Sequence, residues 1–556
     1  MRSTESPRSE LPDTHGMMRT MRPRIAVFKL LGALAIAGAL SASLLAEDRQ
    51  LVNGWDVRDE IKLAPGVDPA TVKDYFPSFY DYLDTVLFHP TAGYYSSGRV
   101  NFVSDYQTFP IALYPSFGQM ITEHMFRMWD GMRKAGTLGP KEKFTIAEFG
   151  AGDGAMAESV LEYIDQQAEA SADPRWKEFK EQTVYACYDR SPALSAQQRK
   201  RNERFGTRFD ARLGDATDPG STVPRDSLKG VILSNELPDC FSVHKVILGM
   251  NGSAELAYTV PSVPMENWQK IEQSLPAAVR QTITKDDQAI REKLFGGKNA
   301  AGTGSAHDRL YLSKAGFSAI LDAFSASADY EVKVNLLQFQ EVYVPVTVMP
   351  ELAEHLRQYA HAYAYALTKS GKGIVTYINL GEGKFIKGAG AALKAGYVIT
   401  IDYGSNWDGI LAQEFDHLRM FGQGSSTSQA NPYHAPTLND MTTDVNFSHL
   451  AEEGKTVGLE ALYFGPQHWL KLGTSIELEK TPAVRTLTPD DEASFQQWAG
   501  LFYSWEVYKV LVQRKENTDP AYKYSSEFGE TLTVGEDRLN PAEREKMAEI
   551  EKKLGR

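Results

Sequence analysis

Cysteine is nearly absent: Cys187 and Cys240 are the only two among 556 residues. No Cys-x-x-Cys, His-Glu-x-x-His or calcium-loop spacing occurs, so nothing points to a disulfide scaffold or to a dedicated metal. Both cysteines lie in or beside apolar runs that read as buried strands, where reduced thiols pack as small hydrophobes. Positive charge is also short. Against 72 Asp and Glu stand 59 Lys and Arg, a formal net charge of −13, and no basic stripe is interleaved with aromatics. This argues against a general nucleic-acid binder. Internal repeats are missing too. A hydrophobic content of 42% leaves ample core for two or three ordinary domains, or for one domain with large insertions.

Near the N-terminus, Arg19, Arg22, Arg24 and Lys29 lead into the apolar run Leu30–Ala46, followed by Glu47 and Asp48. A basic flank, an apolar stretch and small residues at its end form the layout of a signal peptide. The same run is just long enough for a weak single membrane anchor, with association through residues 25–46. A mitochondrial presequence is the third reading, since Met17 to Ala46 holds arginines and no acid.

The most informative segment is Phe144-Thr-Ile-Ala-Glu-Phe-Gly-Ala-Gly-Asp-Gly154. Its apolar start predicts a buried parallel strand, and the residues after Gly154 have helical spacing. Strand, glycine turn and helix together bring backbone against a nucleotide-like ligand, because side chains at Gly150, Gly152 and Gly154 would hold it off. Glu148, just before the first glycine, and Asp153 within the turn add negative charge. A carboxylate there suits S-adenosylmethionine (SAM), whose amino group and sulfonium are cationic. The string also satisfies the dinucleotide pattern, so an NAD site and a purely structural tight turn stay open at this point.

Further strands end in acids. Thr183–Asp189 is followed by a helix with Ser191 as cap and Pro192 in its first turn, and Asp189 stands where a ribose diol is held. Asp215, after a short strand ending near Leu213, can accept from an adenine amino group or simply form an Asx turn. The strand Gly230–Glu236 leads into Asn235, Glu236 and Asp239. Paired carboxylates at a strand end can hold a cationic acceptor and take a proton from its nitrogen; solvated loop acids are the plain alternative. His124 falls within the apolar stripe of Ser116–Trp129 and reads as a core histidine.

These signals divide the chain into a leader or anchor (1–46), a helical N-terminal region (47–140) and the first part of a cofactor-binding core (141–250). An insertion or lid on the acceptor side follows (251–394), polar and helix-rich, with Tyr359, Tyr363 and Tyr365 packing aromatics into it. The rest of the core spans 395–514, with a closing hairpin expected from Gly458–Phe464 and Trp469–Gly473. A charged, peripheral tail (515–556) ends the chain.

Several segments, in order, resemble the MidA family of SAM-dependent methyltransferases, which includes a mitochondrial complex I assembly factor. Leu87-Phe-His-Pro-Thr-Ala-Gly-Tyr-Tyr95 is similar to its L-x-H-P-x-x-G-Y-Y opening, and Glu148–Gly154 to its E-x-G-x-G-x-G turn. Tyr188–Leu194, Asn235–His244, Ile401-Asp-Tyr-Gly404 and Thr442–Leu450 resemble later blocks, so coverage runs from about Leu83 to Gly473. The resemblance implies a class I SAM-dependent methyltransferase fold: a Rossmann-like, doubly wound α/β sheet of seven strands, with a helical N-terminal region and a large insertion. It also implies arginine methylation of a partner protein. Departures fall on the acceptor side: the family's G-D-F-x-T-S-P-E segment becomes Asn101–Pro110 with no glutamate after the proline, and Pro238 and Phe241 are altered. On this reading Glu148, Gly150, Gly152, Asp153 and Gly154 serve the methionine end, Asp189 the ribose and Asp215 the adenine. Asn235, Glu236 and Asp239 serve the acceptor. A small-molecule N- or O-methyltransferase and a non-catalytic assembly protein on the same fold are the rival expectations.

Overall fold

In the computed structural model, the described residues are 60–97, 108–296, 308–412, 417–422, 425–427, 431–478, 489–505, 507–516, 518 and 528–555. The expected leader or anchor therefore lies outside them, as does most of the Asn101–Pro110 segment. Among the described residues no helix is long and apolar enough to cross a membrane.

Four strands open the core: β1 (Phe144–Phe149), β2 (Thr183–Asp189), β3 (Phe209–Leu213) and β4 (Leu228–Asn235). All pair in parallel, with β1 central between β2 and β4. The chain then leaves to form β5 (His244–Leu248), β6 (Ala254–Pro264), β7 (Arg309–Tyr311), β8 (Gln338–Pro345) and β9 (Ile374–Ile378). It returns as β10 (Leu393–Ser405), parallel to β4. A small three-stranded sheet follows, from β11 (Leu418–Gly422), β12 (Ser425–Thr427) and β13 (Asp440–Thr443). The two-residue β14 (Val445–Asn446) pairs with the end of β10, and β15 (Leu459–Pro466) and β16 (Tyr508–Lys515) close the edge as an antiparallel pair.

The resulting order is β15-β16-β10-β4-β1-β2-β3 with β14 alongside β10, so the sheet has eight strands rather than the seven expected. The extra pairing arises because Gly404 leaves no side chain at the end of β10; a Cβ there would lie 2.1 Å from the Val445 carbonyl oxygen. The strand order reverses between β1 and β4: β2 and β3 step away on one side, and β4 and β10 on the other. That is the switch point at which open α/β sheets leave a crevice beyond their strand ends.

One face of the sheet packs on the helices Ser116–Lys134 and Ala155–Ala170, the other on Leu380–Ala392 and Phe447–Lys455. The apolar stripe read from the sequence is the buried stripe. His124 sits within it, stacked on Trp469 at 4.5 Å, with Nε2 2.9 Å from the Leu470 carbonyl oxygen. Burial pushes its pKa down to about 3, as befits a neutral core imidazole.

Two expectations need correction and one an addition. The excursion between β4 and β10 is helix-rich, as expected, with helices such as Ala277–Leu294, Lys314–Ser325 and Ala360–Ser370, but it also carries a five-stranded antiparallel sheet that begins at His244. The strands of that sheet are largely buried on both faces, so the alternation that marks a half-exposed strand is weak. Within it Lys245 pairs with Glu341 at 2.9 Å, both fully buried, and Tyr343 and Tyr433 donate to the same carboxylate. The closing hairpin is β15 with β16, forty residues further on; Gln467–Lys471 is a 3₁₀ turn. Finally, the tail is not peripheral. Helix Pro541–Leu554 buries Met547, Ile550 and Leu554 in the second sheet's core, beside Ala360–Ser370.

Candidate active site

The crevice at the switch point is a cavity of about 450 Å³. Its floor is the glycine turn after β1. Gly150, Gly152 and Gly154 have φ of +72°, +52° and +85°, a left-handed region that other residues enter at a cost. Gly150 and Gly152 line the cavity, whereas Gly154 does not. Gly154 instead lets two elements approach: a Cβ there would lie 2.8 Å from the Asn202 side chain. Asp153 lines the cavity, but its carboxylate accepts from the Ala155 amide and pairs with Arg201 at 2.7 Å, which makes it a fastener of the turn.

Glu148, Asp189 and Asp215 stand at the ends of β1, β2 and β3 and all line the cavity. Glu148 is 2% exposed and accepts from the Tyr185 hydroxyl at 2.7 Å. Burial pushes its pKa up to about 7, and the same cause brings Asp189 to about 6. Asp189 accepts from the Ser191 amide at 2.8 Å, so its orientation is fixed before any ligand arrives. Asp215 forms the Asx turn: Oδ1 accepts from the amide and hydroxyl of Thr217, and Oδ2 lies 3.6 Å from Arg190.

At the other end of the cavity lie Asn235 and Asp239, both buried, and Glu236, which is partly exposed to it. Glu236 has φ of +48° and accepts from the Phe109 amide and the Asn235 side chain. Its amide donates to the Ile401 carbonyl at 2.8 Å. Beneath them, Asp402 at the end of β10 is fully buried, and its carboxylate accepts from the amides of Leu237, Asp239 and Tyr403. It therefore pins the turn that carries Glu236 and Asp239. Burial, reinforced by Asp239, pushes Glu236 up to about 8; Asp239 and Asp402 are raised for the same reasons.

Sequence reasoning missed the aromatic walls. Tyr403, Trp498 and Tyr508 line the cavity on the side of Glu236 and Asp239, and Tyr80, Phe88 and Tyr95 on the side of Asp189 and Asp215. Tyr403 and Tyr95 were within reach, in the Ile401–Gly404 and Leu87–Tyr95 segments. Trp498 and Tyr508 carry no local signal, because only helix Pro489–Phe502 and β16 bring them back to the sheet. Conversely, Tyr359 and Tyr363 do not line the cavity. The Tyr359 hydroxyl donates to Glu453 at 2.6 Å and Tyr363 contacts His355, inside a separate core. Cys187 is buried beneath Glu148 and Cys240 lines the cavity; both are free thiols. Among the described residues no cluster of His, Cys, Asp or Glu has the arrangement of a metal site.

This chemistry suits a ligand with cationic groups. The side-chain oxygens Asn235 Oδ1 and Asp239 Oδ1 are buried with no hydrogen-bond partner among the described residues, on a cavity that also holds Glu148, Asp189 and Glu236. A family model for S-adenosyl-L-methionine-dependent methyltransferases (Methyltransf_28) matches residues 120–465. The chain belongs to this family. SAM is accordingly the cofactor of this methyltransferase. Two solved structures from Burkholderia thailandensis are similar: one native, and one bound to S-adenosyl-homocysteine. Each is 18% identical, with 90% of this chain and 98% of the other covered, at TM-scores of 0.49 and 0.47. No curated protein matches the chain.

The raised carboxyls make the methyltransferase sensitive to pH. Between about pH 5 and 8 the folded protein keeps protons on Glu236, Glu148 and Asp189 that the unfolded chain has already released. Stability of the cofactor-free protein should therefore fall as pH rises through that window. Cationic SAM favours the ionised carboxylates, so the stabilisation it confers should grow over the same range. Thermal unfolding with and without SAM, at about pH 5.5 and about pH 8, checks both signs. Glu236→Gln should flatten the cofactor-free slope; an unchanged slope would mean that Glu236 is ionised in the fold.

Proposed function

We propose that this chain is a class I SAM-dependent protein arginine N-methyltransferase. The strand order, with β16 the antiparallel member next to β10, supports the class I reading. The observation that carries the acceptor class is the acid pair Glu236 and Asp239 in an aromatic-walled pocket. A planar guanidinium offers several donors to two carboxylates and a face to Tyr403, Trp498 or Tyr508. A neutral acceptor would leave those acids unsatisfied.

In this reading Glu148 receives the cofactor's amino group, the Gly150–Gly152 backbone lets the methionine end approach, and Asp189 holds the ribose diol. When bound, SAM supplies an electrophilic methyl group on a sulfonium. The remaining work is positioning and proton removal. Empty, Glu236 is largely protonated at neutral pH, because burial and Asp239 disfavour its charge. A guanidinium beside it reverses that balance and restores the carboxylate. Glu236 then accepts the proton that the attacking nitrogen gives up, while the positive charge stays on the methylated guanidinium, paired with Asp239. Asp402 keeps the turn, and with it both carboxylates, in place.

Incubation of the protein with methyl-labelled SAM and arginine-containing peptides, followed by acid hydrolysis, tests the proposal. Label in methylarginine supports it. Label in a small molecule instead would favour a metabolite acceptor, and SAM binding with no transfer to any acceptor would favour an assembly protein on this fold.

A further inference from the structure

Residues 79–97 precede the span matched by the family model, yet they form a wall of the cofactor cavity. Helix Phe79–Phe88 begins with a capping box between Ser78 and Asp81. It buries Phe79, Tyr82, Leu83, Val86 and Leu87 in a core shared with the second sheet. The side chains left over, Tyr80, Asp84 and Phe88, face the cavity, joined by Tyr95 from the loop beyond. Phe88 and Tyr95 stack at 5.5 Å and 19°.

This wall is fastened to the core beside the strand ends that carry Asp189 and Asp215. Arg190 lies 3.2 Å from Asp84 and 3.6 Å from Asp215, with its guanidinium 4.2 Å from the centre of the Phe88 ring. The Ser191 hydroxyl donates to the Tyr95 carbonyl, and the Tyr95 hydroxyl donates to Asp440 at 2.8 Å. Without Arg190, the Asp84 and Asp215 carboxylates would lose the cation they share and Phe88 the guanidinium that covers its ring.

We infer that residues 79–97 belong to the cofactor site: their aromatic wall receives the adenine end, and Arg190 is the positioning residue that holds the wall over it. This rests on the assignment of the cavity to SAM. Adenine is flat and can lay a π face on Tyr80 and an edge against Phe88, whose own faces carry Tyr95 and Arg190, while the ribose reaches Asp189 on the adjoining strand. A guanidinium stacked on the outer ring fixes that ring's plane in a way an ammonium cannot.

Calorimetric titration of SAM and of methylthioadenosine, which keeps the adenosine and lacks the amino acid, tests this on the full chain. Arg190→Ala and Phe88→Ala should each weaken both ligands by about 10-fold, the scale of one lost stacking or cation–π contact. Arg190→Lys should recover part of the loss. Glu148→Gln should weaken SAM and leave methylthioadenosine unchanged, since that carboxylate addresses the amino-acid end. Wild-type affinity for methylthioadenosine in both Arg190→Ala and Phe88→Ala would overturn the inference while leaving the SAM assignment intact. Wild-type protein that binds neither ligand would overturn both.

Discussion

Glu236→Gln is expected to reduce methyl transfer by about 10²–10⁴-fold, the scale of a lost general base, while SAM affinity stays within a few-fold. The substitution is nearly isosteric, and the amide oxygen can still accept from the Phe109 amide and the Asn235 side chain. It cannot take a proton from an attacking nitrogen. Single-turnover methylation with saturating acceptor, paired with calorimetry for SAM, separates the two effects. Equal loss of binding and turnover would mean that Glu236 supports the turn rather than the chemistry. That outcome has a structural basis to exclude, since Glu236 holds a left-handed conformation that Asp402 and Ile401 maintain from β10.

Gly152→Val should abolish SAM binding, with affinity falling by more than ~100-fold, while the fold survives. Gly152 lines the cavity at φ of +52°, where a β-branched residue costs on the order of 1–3 kcal/mol in backbone strain. Relief of that strain would rotate the turn and displace the Gly152 carbonyl, which accepts from Gln198 at 2.8 Å. The added side chain would stand where the methionine end approaches the backbone. Gly152→Ala should fall between, with less steric bulk at the same φ. Gly154→Ala provides the contrast. Gly154 lies off the cavity, so its substitution should register as lost stability through Gln198 and Asn202, with affinity changed far less. Circular dichroism and thermal unfolding report on the fold, and calorimetry on the site; a Gly152→Val protein that binds SAM as tightly as wild type would remove the glycine turn from the cofactor site.

The local sequence was enough for the first half of the core. The β1 strand, its glycine turn and the following helix are contiguous, and the conformations they need are written in residue types: three glycines for three left-handed turns. Acids at the ends of β1, β2 and β4 were legible for the same reason, since the end of a buried strand is visible as the end of an apolar run. Asp153 and Gly154 show the limit. Both belong to the turn, but whether a turn residue faces the ligand or the helix behind it depends on Arg201, Gln198 and Asn202, which approach only in the fold.

The helices of the excursion between β4 and β10 were legible, whereas its five-stranded sheet was not. Strands such as Ala254–Pro264 are buried on both faces, so the alternation that marks a half-exposed strand is absent. The tail misled in the opposite way: Pro541–Leu554 has a charged composition, and only its contact with Ala360–Ser370 shows that a narrow stripe of Met547, Ile550 and Leu554 is buried.

By itself the sequence determined the strand–glycine–helix unit, the acids at the strand ends, and the neutral core role of His124, because each depends on near neighbours along the chain. Tertiary structure alone decided the carboxyl cluster of Glu236, Asp239 and Asp402. Asp402 reaches Glu236 and Asp239 only because β10 pairs with β4 after an excursion of more than a hundred residues, and Trp498 and Tyr508 arrive from further still. Burial is what raises those carboxyls and makes them responsive to a cation, and burial is a property of everything packed around them.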